Sequence, residues 1–197
     1  GSMVAHARHD PESKLPGNVA LPYPIYDGGW ANGQHAGFLG MKYDPIIMKP
    51  DEGKPYDGKS PVSGHLSFDF IEGVNEQRLA DRRNLLTQLS GSAQPTEPLE
   101  HYQQRVFDML LDEETRRAFK VDDEPERQHH RYGSHVLGQS LLTARRLTGA
   151  GVPLVTVYAA AGDLNGSAGA HFDTHADGYN RLKKQMLPPL DQGLSAL

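Results

Sequence analysis

Cysteine is absent from the chain of 197 residues. This absence excludes disulfide bonds, thiolate metal ligands and cysteine nucleophiles. It does not identify the compartment, because exported proteins can also lack cysteine. The sequence has no apolar run near the roughly 20 residues that a bilayer-spanning helix needs, so we expect no membrane span.

Positive charge is scarce as well. The 20 lysines and arginines are outnumbered by 25 aspartates and glutamates, which gives a formal net charge of -5. Because nucleic-acid binding requires a concentrated basic surface, we do not expect nucleic acid as a partner. The sequence also lacks a Walker phosphate loop, a complete Gly-x-Gly-x-x-Gly before a helix, a His-Glu-x-x-His and a Gly-x-Ser-x-Gly elbow. These absences argue against stand-alone nucleotide or serine-hydrolase chemistry.

The length predicts a single domain, since 197 residues can bury one substantial core. Composition divides the chain into four consecutive segments. They are residues 1–3, interpreted as an expression scar; residues 4–73, a long irregular Pro- and Gly-rich segment packed on the core; residues 74–150, a helical region; and residues 151–197, a strand, a His/Asp loop and a terminal helix. We expect this single domain to be partial.

Helix-capping residues followed by periodic apolar positions mark the helical region. This pattern predicts helices that start at Asn75, Asp112 and Ser134, with each of these residues as the N-cap. The helix after Ser134 has the strongest apolar periodicity. His129 and His130 lie in a charged helical stretch just before it, and we expect both at the surface.

One strand is clear in the sequence. Residues 152–158 are rich in β-branched side chains and predict a buried strand. A lone buried strand cannot satisfy its own backbone donors and acceptors, so its partner strands are expected from elsewhere. Beyond it, a final helix is predicted from about Gly178, with an interruption at Pro188 and Pro189.

Imidazole and carboxylate side chains alternate in one short stretch after the predicted strand. His171, Asp173, His175 and Asp177 occupy every second position. In extended backbone, side chains at i and i+2 project to the same face, with Cα atoms roughly 6.5 to 7 Å apart, so neighbouring groups can converge on one ion. Nitrogen and oxygen ligands of this kind suit zinc or manganese. The alternative is a polar, solvent-facing loop, and a complete site also needs at least one ligand from a distant segment.

Several motifs together resemble a known family. Residues 36–45 read Ala-Gly-Phe-Leu-Gly-Met-Lys-Tyr-Asp-Pro and resemble the Ala-Gly-Phe-Leu-Gly-x-x-Tyr-Asp-Pro signature of a bacterial sulfatase-like family, domain of unknown function 1501. Further matches follow in the same order: Leu-Ala-Asp-Arg-Arg at 79–83, Arg-Tyr-Gly at 131–133, Gly-Gln-Ser-Leu-Leu at 138–142, the strand entry at 151–157, and Phe-Asp-Thr-His at 172–175, where the family usually has Trp-Asp-Thr-His. The resemblance covers nearly the whole chain.

The resemblance implies an α/β fold and a metal-dependent hydrolase. Members are similar to alkaline phosphatases and sulfatases, in which a sheet holds metal ions at strand ends and phosphate or sulfate esters are hydrolysed. Asp173 and His175 fall in the matched motif and become the best metal-ligand candidates, whereas His171 and Asp177 lie outside it and are weaker. Zinc or manganese is the expected ion, with calcium as a further candidate. The resemblance also implies a small-molecule or polysaccharide ester substrate and an exported or periplasmic protein.

Parts of the family pattern do not occur in this sequence. The nucleophile segment with its early carboxylate, and the later Gly-Glu-Phe-Gly-Arg-like and Gly-Arg-Asp-His-like motifs, are missing. We therefore expect the chain to be an internal fragment that is inactive by itself, and its uncovered apolar surface to favour self-association. An alternative interpretation is a non-catalytic helical binding or scaffold module from a degenerate sulfatase-like protein.

Overall fold

A computed structural model describes residues 1–10, 12–22, 33–48, 75–90, 106–159 and 176–197. These residues form three short strands and seven α-helices. In chain order they are α1 (Ser2–Ala7), β1 (Val19–Leu21), β2 (Ile46–Ile47), α2 (Glu76–Ser90), α3 (Glu113–Phe119), α4 (Glu126–Tyr132), α5 (Val136–Ala150), β3 (Val155–Val157), α6 (Gly178–Arg181) and α7 (Leu187–Ala196). Residues 106–111 are also helical, and short 3-10 turns cover Gly37–Leu39, Met41–Tyr43 and Val121–Asp123.

The three strands form one parallel sheet in the order β2-β1-β3. Val19 in the central strand pairs with Ile46 on one side and with Val155 on the other. The expectation of one clear strand was therefore wrong, because the partner strands lie within the segment predicted to be irregular. Strands of two or three residues are too short to show the alternation by which strands are recognised. The helix-rich chain with its small parallel sheet is compatible with an α/β fold.

Helix α5 is the main packing element. It contacts β3, and it also packs against α3, α4 and α7. Between α5 and the sheet lies one buried cluster, and between α4, α5 and α7 lies a second. Burying one leucine side chain in such a cluster stabilises a fold by about 1.5–3 kcal/mol. The first cluster consists of Val19, Leu21, Met48, Ala118, Phe119, Ala144, Leu147 and Val152, and the second of Val121, Tyr132, Leu137, Leu141, Leu142 and Ala196.

The helix starts follow local capping chemistry. Asn75 Oδ1 accepts a hydrogen bond from the Arg78 N–H at 2.8 Å, and Asp112 Oδ2 accepts one from the Thr115 N–H at 2.8 Å. Both predicted caps are confirmed. The N-cap of α5, however, is His135 and not Ser134, because the imidazole Nδ1 of His135 accepts from an amide of the first helical turn.

The two prolines near the end of the chain do not stop the final helix. A π-helical turn at Leu182–Met186 joins α6 to α7, and the Leu187 N–H donates to the Leu182 carbonyl. Pro188 and Pro189 lie in the first turn of α7, directly after the π turn. The predicted interruption is thus a change of helical pitch within a continuous helix. No helix among the described residues is both long and apolar enough to cross a bilayer.

Candidate functional site

The carboxyl ends of all three strands lie at one edge of the sheet, because the strands are parallel. In the order β2-β1-β3, the chain leaves β1 toward one side and later returns to β3 on the other side. The gap between β1 and β3 is therefore a topological switch point. In open α/β sheets, ligands bind in the crevice at the carboxyl ends of the strands at such a point.

Three of the four predicted metal ligands lie outside the described residues. His171, Asp173 and His175 fall in residues 160–175, which connect β3 to α6 in the sequence. β3 ends at Val157, and α6 begins at Gly178. Chain order thus assigns the Asp173 and His175 motif to the connection that follows β3, the strand on one side of the switch point.

Asp177 is the one predicted ligand within the described residues. It is exposed and has a left-handed backbone conformation with φ 50°, at the start of α6. Its Oδ1 accepts a hydrogen bond from the Asn180 side-chain amide at 2.7 Å, and its carbonyl accepts one from the Arg181 N–H at 3.1 Å. Asp177 therefore organises the start of the helix, and its role as a metal ligand stays a prediction.

Within the described ranges, no group of three or more histidine, aspartate or glutamate side chains is arranged to hold a metal ion. The structure describes the residues on both sides of the connection that carries the predicted ligands. At the β3 end, the Tyr158 N–H donates to the Leu21 carbonyl at 2.7 Å and extends the pairing with β1. At the other end, α6 leads through the π turn, where Met186 is fully buried, into α7.

The Arg-Tyr-Gly and Gly-Gln-Ser motifs build the corner between α4 and α5. Gln139 is completely buried, and its Nε2 donates to the carbonyls of Gly133 at 2.8 Å and His129 at 3.1 Å. Because both amide hydrogens are used, Gln139 Oε1 accepts the 2.6 Å bond from Nδ1 of His129. His129 is only 7% exposed, so the prediction of a surface position for it was wrong, whereas His130 is exposed as predicted.

Glycine allows the helices of this corner to approach closely. A Cβ atom on Gly138 would lie 2.1 Å from the Tyr132 carbonyl oxygen, and one on Gly193 would lie 2.6 Å from Cδ1 of Leu141. Gly133, which links α4 to α5, has φ +92° and a conformation that favours glycine. These motif residues therefore serve packing, and no chemistry is needed to explain them.

The 36–45 signature forms a braced turn at the opposite edge of the sheet. Asp44 Oδ1 accepts a hydrogen bond from the Ala36 N–H at 2.5 Å, and the Asn18 side-chain amide donates to the Tyr43 carbonyl at 3.0 Å. Asn18 immediately precedes β1 and the turn leads into β2, so the turn lies at the amino edge. Phe38 projects from it and is 92% exposed. The signature is therefore separate from the carboxyl end of β3, after which the predicted metal ligands follow in the sequence.

The sequence profile of one family matches this chain from residue 1 to residue 197, and that family is described as "Protein of unknown function (DUF1501)". The chain belongs to the DUF1501 family. Searches among curated proteins and among solved structures found no match to this DUF1501 chain. The relation of the DUF1501 family to sulfatases and alkaline phosphatases stays a prediction from the motifs.

Proposed function

We propose that this DUF1501 chain supplies part of the divalent-metal site of a phosphate- or sulfate-ester hydrolase. The observation that carries the proposal is the strand order β2-β1-β3. It creates a switch point at the carboxyl edge, and the connection with Asp173 and His175 follows the strand on one side of that point. Ligand sites of open α/β sheets lie at this position.

The donor atoms fit a divalent transition metal. Asp173 offers carboxylate oxygens and His175 offers an imidazole nitrogen, and zinc and manganese both accept such ligands. When bound, the ion would polarise the ester oxygen and stabilise the charge that develops during hydrolysis. His171 and Asp177 are secondary candidates, and Oδ1 of Asp177 is already engaged by Asn180. At least one further ligand has to come from another segment, because two ligands do not complete a zinc or manganese shell.

The packing around the connection favours a preorganised site. Its first end is held by strand pairing between β3 and β1, and α5 covers this part of the sheet. Beyond the connection, the Asp177 carbonyl accepts a hydrogen bond from the Arg181 N–H at 3.1 Å, which forms the first turn of α6. Anchoring one end of a loop on a sheet lowers the entropy that is lost when its side chains gather around an ion.

Metal binding by the purified chain tests the proposal. Equilibrium dialysis against zinc and against manganese, followed by elemental analysis, gives the metal content of the wild type and of Asp173→Asn and His175→Gln. We expect both variants to lose affinity about tenfold or more. Matched controls are Asp122→Asn and His130→Gln, because both residues are exposed and belong to other elements. Equal metal content in all five proteins would contradict the proposal.

A second measurement addresses the reaction. We expect the nucleophile to lie beyond these 197 residues, as the resemblance implies, so the assay uses the complete gene product. It compares hydrolysis of a nitrophenyl phosphate with that of a nitrophenyl sulfate, before and after removal of metal by a chelator. We expect one ester class to be hydrolysed, with loss of activity in Asp173→Asn. Robust ester hydrolysis by the 197-residue chain alone would contradict the proposal that this chain supplies only part of the site.

Exposed leucines on the final helix favour the alternative of a binding module. Leu187 is 47% exposed and Leu194 is 52% exposed, and their spacing of seven residues puts them on the same side of α7. A module of this kind would self-associate through the leucines. Sedimentation analysis of the Leu187→Ser/Leu194→Ser double variant tests this, with Leu85→Ser on α2 as a control that also removes an exposed leucine. A monomeric wild type would exclude association through this face.

A further inference from the structure

We propose that His135 makes the packing of α7 on the corner between α4 and α5 sensitive to pH, so that the neutral imidazole holds this packing and the protonated imidazole releases it. The inference rests on the described residues of the corner and is independent of the proposed metal site.

The tautomer of His135 follows from its capping role. Its Nδ1 accepts a hydrogen bond from the Gly138 N–H at 3.0 Å, which caps the first turn of α5. In the neutral ring, the single proton therefore resides on Nε2. Protonation places a second proton on Nδ1, where it faces another N–H donor. The cap then cannot form, and the first turn of α5 loses its side-chain acceptor.

The other side of the ring faces α7. Nε2 of His135 is buried and lies beside the Gln192 side chain. A Cβ atom placed on Gly133 would lie 2.4 Å from this Nε2 and 2.7 Å from Oε1 of Gln192, so the ring fits between the corner and α7. Burial lowers the pKa of His135, and the neighbouring Gln192 side chain, which raises it, offsets only part of that effect.

α7 contacts the corner next to the ring. Nε2 of Gln192 donates to the His130 carbonyl at 3.2 Å, and Gly193 lies against Leu141. Protonation of His135 removes the cap of α5 at the point where Gln192 and Gly193 of α7 meet the corner. The loss of the cap loosens the corner at this point, and the packing of α7 on it weakens.

No charged side chain on the surrounding elements compensates the imidazolium. On α4, His129 bonds Gln139, His130 pairs with Glu126 at the surface, and Arg131 is exposed. The only ionisable residue of α7 is Asp191, which is exposed. On α5 itself, the ionisable residues are Arg145 and Arg146, at the far end of the helix.

The direction of the pH dependence follows from linkage. The pKa of His135 in the folded protein lies below its ordinary value of 6.5, so the unfolded or undocked chain takes up the proton first as the pH falls. The stabilising contribution of the neutral ring is therefore fully present above pH 6.5 and is lost as the pH falls through and below that value.

Hydrogen exchange of the α7 amides tests the proposal. Protection is measured at pH 7.5 and pH 5.0 and corrected for intrinsic exchange rates, in the wild type, His135→Asn and His130→Asn. Asparagine can cap a helix but does not titrate. We expect wild-type protection to fall about fivefold or more at pH 5.0, which corresponds to the loss of one cap. His130→Asn is expected to behave as the wild type, and His135→Asn is expected to show no such fall.

An equal fall in His135→Asn and in the wild type would overturn the proposal, as would unchanged wild-type protection. If His135→Asn does not fold, an NMR titration of the wild-type imidazoles replaces it. We expect the His135 ring to carry its proton on Nε2 and to titrate with a pKa below the ordinary value of 6.5. The chemical shifts of the α7 amides should change with the same pH midpoint as the His135 ring. A different midpoint for the α7 amides would show that His135 does not control the packing of α7.

Discussion

Nζ of Lys14 lies 3.0 Å from Oδ1 of Asp112, although 98 positions separate the two residues in the sequence. The ion pair ties the proline-rich part of the chain to the start of α3. Oδ2 of the same carboxylate accepts hydrogen bonds at 2.8 Å from both the backbone N–H and the hydroxyl of Thr115. One side chain therefore caps a helix and joins two segments that sequence composition separates.

Replacing Asp112 with alanine removes this cap and the partner of Lys14. We expect Asp112→Ala to lower the free energy of unfolding by about 1–2 kcal/mol, mainly through the lost cap. Chemical denaturation at neutral pH measures the change. Asp122→Ala, in the exposed turn after α3, is the matched control and should change stability by less than about 0.5 kcal/mol. Equal losses of unfolding free energy in Asp112→Ala and Asp122→Ala would show that the cap and the ion pair of Asp112 do not stabilise the fold.

The same carboxylate predicts a pH dependence. Burial raises the pKa of Asp112, but the hydrogen bonds from the Thr115 backbone and hydroxyl and from Lys14 outweigh it, so the pKa lies below the usual 3.8. The folded protein thus binds this proton less readily than the unfolded chain, and its stabilising contribution is present above pH 3.8 and lost as the pH falls further. The difference in stability between wild type and Asp112→Ala should narrow between pH 5 and pH 2. A stability difference that stays constant between pH 5 and pH 2 would contradict a lowered pKa of Asp112.

Two glycines of α5 give opposite predictions. A methyl group on Gly138 would collide with the Tyr132 carbonyl at 2.1 Å, whereas one on Gly149 meets nothing within 4 Å. We expect Gly138→Ala to destabilise the protein by at least about 2–3 kcal/mol, because α4 and α5 must separate. Gly149→Ala should stabilise it by about 0.5–1 kcal/mol, because alanine favours helix and restricts the unfolded chain. Thermal or urea unfolding of both variants measures the contrast, and a similar change in both would refute the close helix contact.

The buried amide of Gln139 yields another prediction. Gln139→Leu keeps the side-chain volume but leaves the carbonyls of His129 and Gly133 and Nδ1 of His129 without their partner. We expect a loss of about 2–4 kcal/mol in unfolding free energy. Gln88→Leu makes the same exchange at an exposed position of α2 and should be nearly neutral. A near-neutral Gln139→Leu would mean that water satisfies the same groups.

Local signals in the sequence were sufficient for the helix starts. Asn75 and Asp112 were predicted as caps and are caps, because a side-chain oxygen bonds an amide within three residues. The start of α5 was misassigned by one residue. Ser134 has the commoner capping side chain, but His135 provides the acceptor that bonds the Gly138 N–H. The His135 ring packs beside α4 and α7, and this tertiary contact favours His135 over Ser134 as the cap. Such a contact cannot be read from the spacing of residues in the sequence.

Non-local structure was predicted least well. β1 pairs with both β2 and β3, and the two or three residues of β1 and β2 carry no periodic signal of their own. His129 was assigned to the surface because its neighbours are charged, yet the amide of Gln139 satisfies its ring inside the corner. For the candidate site, the sequence identified residue types suited to a metal, and the strand order supplied the edge of the sheet from which their connection leaves.

Anomalous diffraction from zinc-soaked crystals tests the central claim most directly, because it locates the ion without reference to activity. We predict a peak beyond the carboxyl ends of β1 and β3, about 2.0–2.2 Å from a carboxylate oxygen of Asp173 and from a ring nitrogen of His175. Crystals of Asp173→Asn should lack the peak. Zinc bound only at other residues, or a peak unchanged in Asp173→Asn, would contradict the assignment of this edge as the metal site.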